Sequence, residues 1–257
     1  MVVVFGCDES YVMHLSVAIK SLIENNSDTH MIIFVINSDI SSKNWDNIKS
    51  LDIHKKHTLI NEKVSEFELN DLVTKGQFTK ATYYRLLIET LVPYDKVLYI
   101  DSDVVVNGSL RNFWNFELKD HYLAAVEDPG YDENYLEMSP NARYFNAGVM
   151  LINLKKWRDE LTSQQVIKFI RTQESKLTWL DQCALNAVIN GRWARVSPKY
   201  NLQTSIIGMD FKDKQIRYDF CDTSEAIRHP TIIHYTGWSK PWHAYNDHPY
   251  KKNIGII

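Results

Sequence analysis

Asp101-Ser102-Asp103 carries the strongest chemical signal in this 257-residue sequence. It follows Val97-Leu98-Tyr99-Ile100, a run apolar enough to be a short strand buried on both faces. Two carboxylates at the carboxyl end of such a strand repel each other and lose hydration. A bent backbone can aim both at one point, where a divalent cation relieves the repulsion; hard oxygen ligands suit Mg²⁺ and Mn²⁺. The same three residues also make an ordinary solvated turn. What decides between the two is whatever else the chain delivers to that place.

Three further groups are candidates. His234 ends Thr231-Ile232-Ile233, which reads as a buried strand, and a neutral imidazole is a good ligand for a transition cation. Gly237 permits a tight turn, and Lys240 is a point charge suited to phosphate. Taken singly, His234 is a satisfied structural histidine and Lys240 a solvated lysine. Thr178-Trp179-Leu180-Asp181 has capping-box spacing, with Thr178 as N-cap. That accounts for Asp181 but not for Gln182 on the same polar face, opposite Leu180, Cys183, Ala184, Ala187 and Val188. Arg85 offers a guanidinium for a phosphate or sugar. On spacing alone, the surface pair it would make with Glu89 four residues on is the better reading.

These groups need a frame. Val2 to Cys7 reads as a strand ending at Asp8, and Ser10 is the expected N-cap of a helix from about Tyr11 to Asn26. Strands follow at His30 to Ile36 and Thr58 to Ile60, with a helix over Ser41 to Leu51 between them. Glu62 to Gly76 is polar, a loop or short helices. Thr79 to Leu91 is an expected helix stopped by Pro93. Tyr122 to Val126 is an expected strand ending at Glu127-Asp128, and Pro129 to Asn141 is irregular. Small residues in Phe145 to Leu154 suggest a strand that another group approaches closely. Lys155 to Arg171 is mostly helical, and the chain beyond Trp193 is strand- and loop-like. This alternation predicts an α/β protein with a parallel, doubly wound sheet. Ligands of such sheets sit at the carboxyl ends of the strands, so Asp8 and the Asp101/Asp103 pair are expected to share a crevice. One domain accounts for the whole chain, with a smaller C-terminal half against it.

Composition narrows the classes. A net charge of −3 implies no general attraction to nucleic acid or acidic membranes. The 3 cysteines, Cys7, Cys183 and Cys221, are too scattered for a disulfide framework and fit a cytoplasmic protein. The start lacks the marks of a signal peptide, and the longest apolar run, Phe145 to Leu154, cannot span a bilayer. The 14 Tyr and 7 Trp suit sugar stacking or core packing equally.

Taken in order, Phe5 to Tyr11, Thr82-Tyr83-Tyr84-Arg85, Asp101-Ser102-Asp103, Phe145 to Leu154, Leu180-Asp181-Gln182 and His234-x-x-Gly237-x-x-Lys240-Pro241-Trp242 resemble the family 8 glycosyltransferases. These are retaining enzymes that include bacterial lipopolysaccharide galactosyl- and glucosyltransferases. The resemblance runs from Val2 to about Trp242. It implies a GT-A fold with a mostly parallel central sheet, its nucleotide-binding part over about 1–107 and its acceptor-side part over about 108–257. It also implies a UDP-sugar donor (UDP-galactose or UDP-glucose), Mn²⁺ with Mg²⁺ as the substitute, and a glycan or glycosylated protein as acceptor. It puts Asp8 and Tyr11 at the uridine, and Asp101, Asp103 and His234 on the metal. Ser102 lies within that metal motif on the donor side. Gly237 and Lys240 would hold the diphosphate, and Arg85, Asp128, Asn146, Asp181 and Gln182 would surround the donor sugar. Family members often carry Asn where Ser10 stands. Bacterial relatives often continue into a basic, aromatic membrane-binding tail that the sequence up to Ile257 does not show. Peripheral membrane association is therefore not carried over from them.

The chemistry follows from residue types. Charge develops on the leaving phosphate, where a metal, Lys240 and N–H groups near Gly237 would stabilise it. Gln182 is neutral and a poor covalent nucleophile, so a front-face transfer is expected, with Asp181 as nucleophile the alternative. Two rival functions use the same residues: a haloacid dehalogenase-type phosphatase acting through Asp101, and a UDP- and metal-binding protein without activity.

Overall fold

The computed structural model describes residues 1–76, 78–129, 136–208 and 220–256. Part of the expected irregular Pro129 to Asn141 stretch, and residues 209–219 of the region beyond Trp193, lie outside them.

A mixed α/β sheet forms the centre. Its strands are β1 (Val2–Gly6), β2 (Ile32–Asn37), β3 (Thr58–Lys63), β4 (Lys96–Ile100), β6 (Leu123–Glu127), β7 (Phe145–Asn153) and β8 (Ala194–Arg195). They lie in the order β3-β2-β1-β4-β7-β6-β8. A smaller sheet sets β10 (Ile232–His234) between β5 (Val104–Val106) and β9 (Leu202–Gln203). The runs read as buried strands are buried on both faces. Val4 and Tyr99 pack to one side of the large sheet, and Phe5 and Ile100 to the other. Helix Val12–Asn25 closes the second side with Leu15, Ala18, Ile19 and Leu22.

The large sheet is mostly parallel, as expected, with one strand reversed. Strand β7 runs antiparallel to both β4 and β6. The reversal has a consequence for the site, because it lays the amino end of β7 beside the carboxyl ends of its neighbours. Ile100 pairs with Val149, and Glu127 with Phe145. Asn146, Ala147 and Gly148 therefore reach the same edge as Asp101 and Asp128. In the small sheet, His234 pairs with Val104 on one side and Gln203 on the other. That register brings a histidine more than a hundred residues away against Asp103.

Several helical expectations change in detail. Ser10 lies within a 3₁₀ turn, Glu9–Tyr11, and does not cap the helix, which starts at Val12 without a side-chain cap. Thr79 to Leu91 is a 3₁₀ helix, Lys80–Leu86, followed by one α turn, Ile88–Leu91. Lys155 to Arg171 is two helices, Leu154–Asp159 and Thr162–Thr172, broken at Leu161 with φ of 51°. Helix Leu180–Ile189 begins without a side-chain cap, so Thr178 and Asp181 form no capping box. Leu180 sits in the left-handed region at φ of 43°; that geometry turns the chain at the helix start and sends Asp181 inward. Ala187 and Val188 are only half-buried, and Leu185 and Ile189 complete the buried stripe instead.

Candidate active site

The carboxyl ends of β1, β4 and β6, the amino end of β7 and the turn after β10 enclose a crevice of about 460 Å³. All of the residues singled out from the sequence line it: Asp8, Tyr11, Arg85, Asp101, Ser102, Asp103, Asp128, Asn146, Asp181, Gln182, His234, Gly237 and Lys240. That volume suits a small organic ligand.

At its centre, Asp101, Asp103 and His234 offer three ligand atoms within 4.8 Å of one another. Each residue is held by one atom and leaves another facing the centre. Asp101 Oδ1 accepts from Arg85 Nη2 at 2.9 Å and from the Tyr99 hydroxyl at 2.8 Å. Its Oδ2 lies 3.9 Å from His234 Nε2. Asp103 Oδ2 is held by Lys240 Nζ at 2.6 Å, while Oδ1 lies 3.2 Å from His234 Nε2. His234 Nδ1 lies 2.8 Å from Asn201 Oδ1. Two carboxylate oxygens and one imidazole nitrogen, each with its other side restrained, fit a divalent cation such as Mn²⁺.

Gly148 makes this convergence possible. A Cβ there would lie 2.2 Å from His234 Cε1 and 2.7 Å from Asp101 Oδ2. The small residues of Phe145 to Leu154 thus mark a close approach, as expected. The Gly148 carbonyl also accepts from Asp101 N at 2.7 Å, and Ser102 Oγ donates to the Gly6 carbonyl at 3.2 Å, tying the ends of β4 and β1 together.

Lys240 is 5% exposed, which overturns the surface-lysine reading. Besides Asp103 it donates to the Tyr235 carbonyl at 2.7 Å. Burial works to raise the Asp103 carboxyl, but the Lys240 ammonium and then His234 outweigh it and hold it well below the usual carboxylate range. The turn bearing Lys240 needs glycine at 237, where φ is +92° and the space is open: the constraint is conformational, not steric. Trp242 anchors the far side by stacking on His14 at 3.7 Å.

Arg85 and Asp181 form the floor. Arg85 is buried, and Glu89 accepts from Ser163 N at 2.8 Å instead of pairing with it. The cause is local: Arg85 lies near the end of a 3₁₀ helix and Glu89 near the start of a separate α turn, so the four-residue spacing of one α-helix does not hold between them. Arg85 Nε lies 2.9 Å from Asp181 Oδ2, its Nη1 donates to the Ala147 carbonyl at 2.6 Å, and its Cζ sits 4.7 Å above the Tyr99 ring. Burial opposes the guanidinium charge, yet Asp101 and then Asp181 raise its pKa further. Burial also lifts the Asp181 carboxyl above its usual range, with Arg85 pulling the other way. Asp181 Oδ1 accepts from the Thr82 hydroxyl at 2.7 Å, whereas Oδ2 has an ion pair without a directed hydrogen bond.

On the outer side, Asp8 accepts from Ser10 Oγ and Thr79 Oγ1, each at 2.6 Å. Gln182 Oε1 accepts from Ala147 N at 2.9 Å, and its Nε2 donates to Asp128 Oδ2 at 3.3 Å. Cys7 also lines the crevice, but burial pushes its thiol up to about 12, which makes it a poor nucleophile.

Sequence reasoning missed Tyr99, Thr79 and Asn201. A signal existed for Tyr99, which lies two residues before Asp101 and so on the same strand face. None existed for Asn201.

The mixed sheet with carboxylates at its ligand-binding edge, and a histidine and a lysine brought to them from the small sheet and its turn, has the GT-A glycosyltransferase fold of a solved relative. The model of the glycosyl transferase family 8 matches residues 2–246, and the chain belongs to that family. It is 29% identical to general stress protein A of Bacillus subtilis, over 98% of this chain and 90% of that protein. It is 30% identical to an Escherichia coli lipopolysaccharide 1,2-glucosyltransferase, over 97% of this chain and 76% of that one. The galactosyltransferase LgtC, solved with donor and acceptor sugar analogues, superposes with a TM-score of 0.87 at 27% identity, covering 100% of this chain and 96% of LgtC. Family and fold leave the phosphatase reading of Asp101 without support. Among the described residues no helix is long and apolar enough to cross a membrane.

Proposed function

We propose that this glycosyltransferase moves galactose or glucose from a UDP-sugar to a hydroxyl of a glycan or glycoconjugate, with retention of anomeric configuration and with Mn²⁺ as cofactor. The observation that carries the reading is the convergence of Asp101 Oδ2, Asp103 Oδ1 and His234 Nε2 beside a buried lysine. A cation bound there would supply Lewis-acid stabilisation of the leaving diphosphate. The names of the relatives supply the hexose.

In this reading Asp8 and Tyr11 hold the uridine, with Asp8 oriented by Ser10 and Thr79. Lys240 and the turn at Gly237 neutralise charge on the leaving phosphate. Arg85, Asp128, Asn146, Asp181 and Gln182 face the donor sugar. Gln182 keeps its amide oriented through Ala147 and Asp128, and being neutral it steadies developing positive charge at the anomeric carbon without forming a stable bond. The acceptor hydroxyl then passes its proton to the leaving phosphate oxygen on the same face. Asp181 is poorly placed to act as a nucleophile, because both its oxygens are engaged by Thr82 and Arg85. The buried thiols of Cys7 and Cys183, neither in a disulfide, suit a cytoplasmic site of action.

A panel of nucleotide sugars scored by UDP release in Mn²⁺ tests the donor. Turnover of UDP-galactose or UDP-glucose is expected. A preference for an N-acetylhexosamine or for GDP-sugars refutes it, and tight Mn²⁺-dependent UDP binding without turnover, to acceptor or to water, points to an inactive binder. The anomeric proton coupling of the product, read by NMR, checks retention: a β product from the α-linked donor contradicts it.

A further inference from the structure

We infer that Asn201 is a positioning residue for His234: its side-chain amide holds the imidazole with Nδ1 protonated and Nε2 presented to the cation, and Asn146 holds that amide in turn. The inference rests on the cation reading of Asp101, Asp103 and His234.

The two ends of an asparagine amide look alike, so its orientation needs an anchor that can only donate or only accept. Here the anchor is a backbone N–H. Gly148 N donates to Asn146 Oδ1 at 3.0 Å, which makes that end of Asn146 the carbonyl. The other end, Nδ2, faces the carboxylate of Asp128 at 3.3 Å, as a donor should. Asn201 Nδ2 donates to the same Asn146 Oδ1 at 2.9 Å. The remaining end of Asn201 is therefore its carbonyl oxygen, and it faces His234 Nδ1 at 2.8 Å. A carbonyl cannot donate, so Nδ1 must carry the proton. Asp101 and Asp103 also only accept, so the lone pair of Nε2 faces them when a cation stands between, in place of a second proton.

Burial gives the chain its force. Asn201 is 0% exposed, His234 4% and Asn146 6%, so water has little opportunity to replace a lost partner. An unpaired polar group in such a place is costly. The backbone explains the placement: Asn201 precedes β9, which runs parallel to β10 with Gln203 beside His234. Gly148 serves three ends at once. Its N–H orients Asn146, its carbonyl holds Asp101, and its missing Cβ leaves room for the imidazole.

The test uses Mn²⁺ alone, without donor or acceptor, titrated by electron paramagnetic resonance. Outer partners of metal-bound histidines are typically worth 10- to 100-fold in affinity, so Asn201→Leu should weaken Mn²⁺ by roughly that factor. Asn201→Asp still accepts from Nδ1 and should recover affinity relative to Asn201→Leu. Should either variant fail to fold, ¹⁵N-histidine NMR of the parent loaded with diamagnetic Zn²⁺ decides alone: the expected signal is Nδ1–H, with Nε2 unprotonated. An Nε2–H tautomer, or a folded Asn201→Leu protein that binds Mn²⁺ within about twofold of the parent, overturns the inference. His234→Ala separates the two levels. If it binds Mn²⁺ like the parent, the cation reading falls and this inference with it. If it loses Mn²⁺ while Asn201→Leu does not, only the positioning role falls.

Discussion

Asp101 and Asp181 both lie 2.9 Å from the same guanidinium, yet they belong to different kinds of region. The side chain of Asp101 is 23% exposed and that of Asp181 3%. Arg85 and Tyr99 hold Asp101 by one oxygen, and its other oxygen points to the centre of the crevice. Asp181 spends both oxygens on Thr82 and Arg85. The first arrangement restrains a group without using it up, which is what ligand binding needs. The second neutralises buried charge and supports the first from below. A carboxylate's role here depends on how many of its oxygens the protein already occupies.

Removing a group from either region should therefore fail in different ways. The largest effect is expected from Asp103→Ala, which deletes one centre-facing oxygen and the partner of Lys240. Mn²⁺-dependent UDP binding in calorimetry should disappear while the melting transition persists; unchanged binding would sink the cation site. Arg85→Met should act mainly on stability. It leaves Asp181 buried without a counter-charge, and breaking a buried pair costs about 3–5 kcal/mol. Denaturant unfolding measures this, and a loss of only about 0–1 kcal/mol, as for exposed pairs, would show that Asp181 is not dependent on Arg85.

Lys240→Ala tests the cation-side wall more finely. Loss of one electrostatic group aimed at developing charge is worth about 2–4 kcal/mol, or roughly 30- to 1,000-fold in turnover. Saturating donor and metal should leave that deficit in place. A turnover within about threefold of the parent would return Lys240 to a purely structural part. Gly148→Ala should cost about 1–3 kcal/mol of overpacking, less than Arg85→Met. It should still lower Mn²⁺ affinity, because the new methyl displaces His234 and Asp101. Wild-type affinity with wild-type stability would mean that the β7 backbone yields at no cost.

Much of the site was legible because its residues punctuate short apolar runs. Asp101-Ser102-Asp103 and His234 stand at the ends of β4 and β10, and apolar runs buried on both faces make such ends visible in a single sequence. The errors cluster where local spacing has two solutions. Arg85 and Glu89 are four apart, which pairs them on one α-helix; here Arg85 lies on the 3₁₀ helix Lys80–Leu86 and Glu89 on the separate α turn Ile88–Leu91. Thr178 and Asp181 have capping-box spacing, but Leu180 turns into the left-handed region and sends Asp181 inward to Arg85.

Order along the chain was enough to determine the β/α alternation, the buried strands and the carboxylates at their ends, because each follows from hydrophobic pattern and turn chemistry within a few residues. Tertiary structure decided the rest. It reversed β7, so that Gly148 could admit the His234 ring. It also set β9 against β10, so that Asn201 could reach His234 Nδ1. Neither is written in local sequence, because strand order and direction are settled by which apolar faces pack together across the whole chain. A lone asparagine in a loop carries no sign of the imidazole that folding brings to it.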